Sequence, residues 1–180
     1  GTIGIADFDR VDVSNLQRQI LYREQDIGKA KAELAAEQLQ SRNHSVQVEL
    51  YPEGITAENA EEILAKFDVI VDASDNFPTR YLLSDTCMKL GKPDVYGAIC
   101  EFAGQVTGNP NSAAYGVLGV IPGMIGCMQA AEVLKLLLGK GEPLIGKMLF
   151  IDAKTWSTDL IEVPVHPQCS CHAHSNVHRM

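Results

Sequence analysis

Basic charge is scarce in this chain, and so are aromatic rings. Lysine and arginine together number 15 against 23 aspartates and glutamates, a formal net charge of −8 at pH 7, and Phe, Trp and Tyr make up 6% of residues. A general nucleic-acid binder shows a basic face, so this balance argues against one. No apolar run reaches the ~18 residues that a bilayer span requires. No basic segment leads into a short apolar one, so no signal peptide or membrane is expected and the expected location is the cytoplasm. The dinucleotide fingerprint G-x-G-x-x-G is absent from the sequence. The five cysteines, at 87, 100, 127, 169 and 171, are odd in number, and three lie in apolar patterns. That excludes a secreted disulfide framework and predicts Cys87, Cys100 and Cys127 to be buried thiols.

What is present is an α/β alternation. With 180 residues and 46% hydrophobic residues, the chain can build one ordinary core. The apolar run Ile3–Ala6 reads as the end of a buried strand. Lys29–Gln40 reads as a helix whose apolar face is Ala32, Leu34, Ala35 and Leu39. Ser45–Leu50 alternates as a strand. Thr56 is a candidate cap for a helix reaching Lys66, with Glu58 and Glu61 in its first turn. Asp68–Asp72 is a short buried strand of the parallel type. Pro78 opens a helix to Leu90, Gly91-Lys92-Pro93 turns, and Asp94–Ile99 and Ala103–Thr107 read as strands. Gly119–Leu138 is the most apolar stretch and reads as a helix packed on the sheet or on a second subunit. Lys147–Asp152 and Thr158–Val165 read as a closing antiparallel β-pair. The expected class is α/β, with a largely parallel sheet flanked by helices and that pair at the C-terminal end.

The densest chemistry lies where the first strand ends, in Asp7-Phe-Asp9-Arg-Val-Asp-Val-Ser14-Asn15-Leu-Gln-Arg18-Gln19. Carboxylates come first, then an amide, a guanidinium and a second amide. A nucleotide needs a similar set: acceptors for ribose hydroxyls, then donors and positive charge for phosphate. Lys31 supplies a second cation, and Ser74-Asp75-Asn76 echoes the pattern at another strand end. Ligands gather at strand carboxyl ends in open α/β sheets.

These residues resemble the signature of the ThiF/MoeB/HesA family, bacterial relatives of the ubiquitin-activating enzymes. Further segments match in order: Asp26-Ile-Gly-Lys-Ala-Lys31, Asp72-Ala-Ser-Asp75-Asn76-Phe-Pro-Thr-Arg80-Tyr81, Tyr96-Gly97-Ala98, Gly104-Gln105-Val106, Gly116-Val-Leu-Gly119-Val-Ile-Pro122-Gly123 and Gln129-Ala-Ala-Glu132-Val-Leu-Lys135. The match covers residues 1–166, the expected adenylation domain, and leaves 167–180 as a Cys/His-rich polar tail. The resemblance implies a Rossmann-like domain, a homodimer, and use of ATP and magnesium to adenylate the C-terminal glycine of a small ubiquitin-like sulfur carrier ending in Gly-Gly, for thiamine or molybdopterin biosynthesis. Carried over by position, Asp7 would accept the ribose hydroxyls. Asn15, Arg18 and Gln19 would hold phosphates, with Asn76 beside the nucleotide. Lys31 would neutralise the α-phosphate, and Asp75 would bind magnesium. Arg18, Lys31 and Asp75 are the expected catalytic residues. Arg80 and Tyr81 read as helix packing.

Departures from the pattern shape the remaining expectations. The family places a βα unit with a glycine-rich loop before the first strand seen here, and an arginine that reaches into the partner's site. Neither is found in this sequence, so the N-terminal βα unit is expected to be missing. The crossover between Gly104-Gln105-Val106 and Gly116-Val-Leu-Gly119 is short and lacks the family's C-x-x-C pair. The tail offers Cys169 and Cys171 with His166, His172, His174 and His178, a candidate zinc set that cannot form a four-thiolate site from this chain. Two further readings stand beside an active adenylyltransferase. One is a non-catalytic or truncated homologue that keeps carrier docking and dimerisation. The other is a nicotinamide-dependent dehydrogenase, which Asp7 would suit but the absent fingerprint loop and the Arg18/Lys31/Asp75 set do not.

Overall fold

The structure, a computed structural model, describes residues 1–100, 103–105 and 119–163. The chain divides into two units, Gly1–Asn59 and Ala60–Met180.

In the first unit, strand β1 (Thr2–Ala6) lies parallel to β2 (Gln47–Tyr51), in a register that pairs Ile3 with Val48 and Ala6 with Tyr51. Helix α1 (Lys31–Arg42) is the crossover between them, as a parallel pair requires. Its buried residues are Lys31, Ala32, Leu34, Ala35 and Ala36, while Leu39, expected on the apolar face, is half-buried. Between β1 and α1 the chain makes two single 3₁₀ turns, Val13–Asn15 and Glu24–Asp26.

In the second unit, α2 (Ala60–Ala65) is shorter than the sequence suggests. Thr56 does not cap it. The Asn59 side chain instead accepts from the Thr56 N–H at 2.8 Å and donates to the Gly54 carbonyl at 3.1 Å, holding residues 54–59 in turns. Strand β3 (Ile70–Asp72) pairs parallel with β4 (Asp94–Tyr96), and α3 (Phe77–Leu90) connects them. Gly91 ends α3 in the left-handed region at φ +64°, where glycine carries no Cβ penalty. The predicted strand Asp94–Ile99 is two strands: after Gly97 the chain leaves the parallel pair and enters β5 (Ala98–Cys100). β5, β6 (Ala103–Gln105), β7 (Lys147–Asp152) and β8 (Ser157–Glu162) form an antiparallel sheet in that order, extending the closing pair to four strands.

Helix α4 (Val120–Leu138) packs on β4, β5 and β6 through a stripe of Ile121, Ile125, Gln129 and Glu132. Cys127 lies off that stripe and is exposed, which corrects the expectation of a buried thiol there, whereas Cys87 is 1% exposed. By length and mean hydropathy α4 is long and apolar enough to cross a bilayer, longer than the uncharged runs of the sequence suggest. Its buried polar groups are nevertheless spent inside the fold. Gln129 bonds to strand carbonyls, and the Glu132 carboxylate accepts from Lys135 at 2.5 Å and from the Leu144 N–H at 2.8 Å.

Candidate functional site

The two units each carry one set of the residues singled out by the sequence. In the first, the segment after β1 is tied by backbone to the segment before α1. Val11 N–H donates to Lys29 O at 2.9 Å, Gly28 N–H to Val11 O at 2.8 Å, and Lys31 N–H to Asp9 O at 3.0 Å. Arg10 pairs with Ala30 as an antiparallel bridge, and its guanidinium reaches Gly28 O at 2.8 Å. Asp26, 5% exposed, braces the turn that feeds α1 by accepting from Arg23 N–H at 3.0 Å and Lys29 Nζ at 2.8 Å. The bond from Lys29 is the main reason its carboxyl sits below the ordinary carboxylate range. The run Asp26–Lys31 is therefore a device for aiming Lys31.

Lys31 is the first residue of α1. A helix N-terminus carries partial positive charge and favours an anion. A lysine there, with its side chain 8% exposed, doubles the local demand for negative charge. Asp9 meets it: its Oδ2 accepts from Lys31 Nζ at 2.7 Å. Asp7 is half-buried and its Oδ1 accepts from the Asp9 N–H at 2.8 Å, so both carboxylates share one short loop. Tyr22 closes the group. Its hydroxyl donates to Lys31 O at 3.4 Å, and burial, then the charges of Asp7 and Asp9, push it up to about 12.

Asn15, Arg18 and Gln19 lie together in the next turn, with Arg18 and Gln19 N–H groups both on Asn15 O. Asn15 is 7% exposed, and its Oδ1 accepts from the Asp12 N–H at 3.0 Å as half of a reciprocal cap. Its carbonyl end therefore serves the loop. The Arg18 guanidinium holds Ser14 O at 2.8 Å through Nη1. Gln19 Oε1 is buried without a hydrogen-bond partner among the described residues. An orphaned buried amide is costly unless a ligand completes it. Turned over, the same amide presents N–H to phosphate.

In the second unit, Asp75 stands exposed in the turn between β3 and α3, and no ion pair among the described residues uses it. Asn76 is the N-cap of α3, accepting from Thr79 N–H at 3.0 Å. Arg80 donates to Ser74 O at 3.2 and 2.7 Å and lies over the Tyr96 ring at 5.0 Å, which is a packing role, while Tyr81 is 66% exposed and stacks on Phe77. Among the described residues there is no group of three or more His, Cys, Asp and Glu able to hold a metal. A lone open carboxylate nonetheless fits magnesium, which binds through one or two carboxylates and the substrate's phosphates. Cys169 and Cys171, with the rest of the tail, lie outside the described residues.

Sequence reasoning missed a buried polar cluster behind Asp75. Asp72, 1% exposed, accepts from Ser74 N–H at 2.8 Å through Oδ1. Gln129 Nε2 donates to Asp72 O at 2.9 Å and Val95 O at 3.1 Å. A glutamine in the most apolar helix was the available signal. Asp94 belongs to the same cluster, and burial, then the Asp72 carboxylate, raise its carboxyl to about 7. The folded state thus keeps a proton that an unfolded aspartate, near ~3.9, has released. Stability therefore falls as pH rises from about 4 through 7 and levels off above. Asp94→Asn removes this slope. Thermal unfolding at pH 5 and 8 is expected to show the wild type losing roughly 3–6 °C more than the variant; parallel behaviour would contradict the assignment.

The chain is similar to known proteins. The ThiF family profile matches residues 1–114 and 108–173. A sulfur carrier protein adenylyltransferase of Thermus thermophilus is 44% identical over 195 aligned residues, covering 94% of this chain and 72% of that protein. The SAMP-activating enzyme E1 of Haloferax volcanii is 42% identical, covering 94% of this chain and 70% of that enzyme. Among solved structures, E. coli MccB with ATP superposes with a TM-score of 0.80 at 20% identity, covering 95% of this chain, and the chain spans 58% of that protein's length. This likeness establishes a Rossmann-type fold.

Proposed function

The chain belongs to the ThiF family, and from that premise we propose that it is an ATP-dependent adenylyltransferase acting on a small ubiquitin-like sulfur carrier. The carrier's C-terminal glycine carboxylate attacks the α-phosphorus of ATP in line. A new acyl–phosphate bond forms, the bond to the β-phosphate breaks, and pyrophosphate leaves. No general base is needed, because the nucleophile is already a carboxylate. Catalysis then consists of positioning and charge stabilisation.

The observation that carries this reading is Lys31: a buried ammonium at a helix N-terminus, aimed by a backbone ladder and facing an acidic loop. Asp7 retains a free carboxylate edge for ribose hydroxyls. Arg18, Asn15 and Gln19 supply donors for the phosphates, Asp75 would hold magnesium, and Asn76 keeps that turn in place by capping α3. Magnesium, when bound, neutralises the leaving pyrophosphate. The exposed apolar side of α4, with Leu134 at 55% and Leu138 at 64% exposure, suits a second copy of the chain as its cover. The names of the relatives, a sulfur carrier protein adenylyltransferase and a probable molybdopterin-synthase adenylyltransferase, support a role in sulfur transfer toward molybdopterin, and the sequence motifs suit a thiamine pathway equally.

ATP–pyrophosphate exchange with magnesium and a carrier ending in Gly-Gly tests the proposal. Exchange that requires the carrier supports it. Carrier binding without exchange would instead favour a homologue that docks the carrier and does not turn over.

A further inference from the structure

We propose that Asp9 is an anion placeholder: its carboxylate occupies the position on Lys31 that a phosphate takes when nucleotide binds. The inference rests on the nucleotide reading of this loop. Three observations lead to it. First, Asp9 Oδ2 lies 2.7 Å from Lys31 Nζ, while the Asp9 side chain is 54% exposed and that of Lys31 8%. The lysine is fixed in the protein; the carboxylate faces solvent and is free to leave. Second, the pair is set by backbone register. Lys31 N–H bonds to Asp9 O at 3.0 Å, which holds the two residues side by side. Third, the other acids nearby are otherwise engaged. Asp7 Oδ1 accepts from Asp9 N–H, and Asp12 Oδ1 accepts from Ser14 N–H at 2.8 Å; the Ser14 side chain first and its N–H second keep the Asp12 carboxyl below the usual range, with the Lys31 charge a smaller cause.

An exposed carboxylate on a buried ammonium satisfies that charge while the site is empty and holds Lys31 extended toward the loop. A triphosphate brings more negative charge to the same point and competes with Asp9 for it. Asp9 is therefore a positioning residue that acts through Lys31, and it weakens nucleotide binding in exchange for a lysine already aimed. A purely structural brace makes the opposite prediction, since its loss can only loosen the site.

The test is the affinity of the intact chain for ATP and for inorganic tripolyphosphate, measured by calorimetry for wild type, Asp9→Asn and Asp9→Glu. Asp9→Asn keeps the shape and the backbone bonds and removes the competing charge. Tighter binding of both probes, by about three- to tenfold, is expected, with Asp9→Glu remaining near wild type. Unchanged or weaker tripolyphosphate binding in Asp9→Asn overturns the placeholder. If tripolyphosphate tightens but ATP binds neither protein, the placeholder stands and the ATP reading fails. If neither probe binds any of the proteins, both fail.

Discussion

Lys31→Ala is expected to lower carrier-dependent ATP–pyrophosphate exchange by roughly 10²–10³-fold, the range for removing one preorganised charge donor from a developing anion. The expected change in melting temperature is only a few degrees. This asymmetry follows from where the two members of its ion pair sit. The partner left behind, Asp9, is 54% exposed and returns to water when the ammonium is removed. Losing a lysine from a fully enclosed pair would instead strand a buried charge and unfold the protein. The backbone contribution of residue 31, its N–H on Asp9 O, survives the substitution. Lys31→Arg is not expected to rescue, because a planar, forked guanidinium does not reproduce the compact ammonium that meets Asp9 at 2.7 Å. Arg18→Ala should cost less, about 10–100-fold, since Arg18 is less buried and keeps one N–H on the protein's own Ser14 carbonyl. Exchange rates and melting curves on the same preparations check this. A collapse of stability in Lys31→Ala, matching its loss of activity, would show that the pair is structural.

The strand-end loop was legible in the sequence because its composition is hard to explain otherwise: carboxylates, amides and cations follow a short apolar run at once. The division of labour within it was not. The position of Asn15 implies a phosphate contact, and its Oδ1 also closes the loop on Asp12. Asn76 is likewise a helix cap. Amides serve both purposes with the same atoms, so residue type alone cannot separate them. The strand predicted over Asp94–Ile99 shows a related limit. Alternation reports which face a residue takes, not which strand it pairs with, so it runs unbroken across Gly97 while the chain changes sheets. Cys127 was misread because a helix apolar on every side gives no clue to its buried stripe. Two other matched segments, Tyr96-Gly97-Ala98 and Gln129-Ala-Ala-Glu132, read as separate motifs in sequence. In the fold they are packing partners, a relation that no local spacing encodes.

That partnership sets the largest expected loss of stability. A Cβ at Gly97 would fall 2.5 Å from the Gln129 Cδ and within 2.7 Å of both amide heteroatoms. The end of a glutamine is ordinarily free to swing away, but this one is pinned by two bonds, to Asp72 O and Val95 O. Moving it leaves buried strand carbonyls short of donors, at about 1–3 kcal/mol, in addition to overpacking at about 1–3 kcal/mol. Gly97→Ala is thus expected to cost about 2–6 kcal/mol, or roughly 4–24 °C in melting temperature for a chain of this size. A double-mutant cycle separates this cause from a general effect on the backbone. Gln129→Ala loses the same two bonds but opens the space, so Gly97→Ala made in that background should cost less than about 1 kcal/mol. Additive losses would place the strain elsewhere. The consequence also reaches the proposed metal ligand. Gly97 N–H bonds to Asp72 O at 3.0 Å, and Asp72 in turn fixes Ser74, the residue before Asp75. A Gly97→Ala protein rescued by low temperature should therefore show a raised magnesium requirement for exchange, whereas the folded Gln129→Ala/Gly97→Ala protein should recover part of the loss.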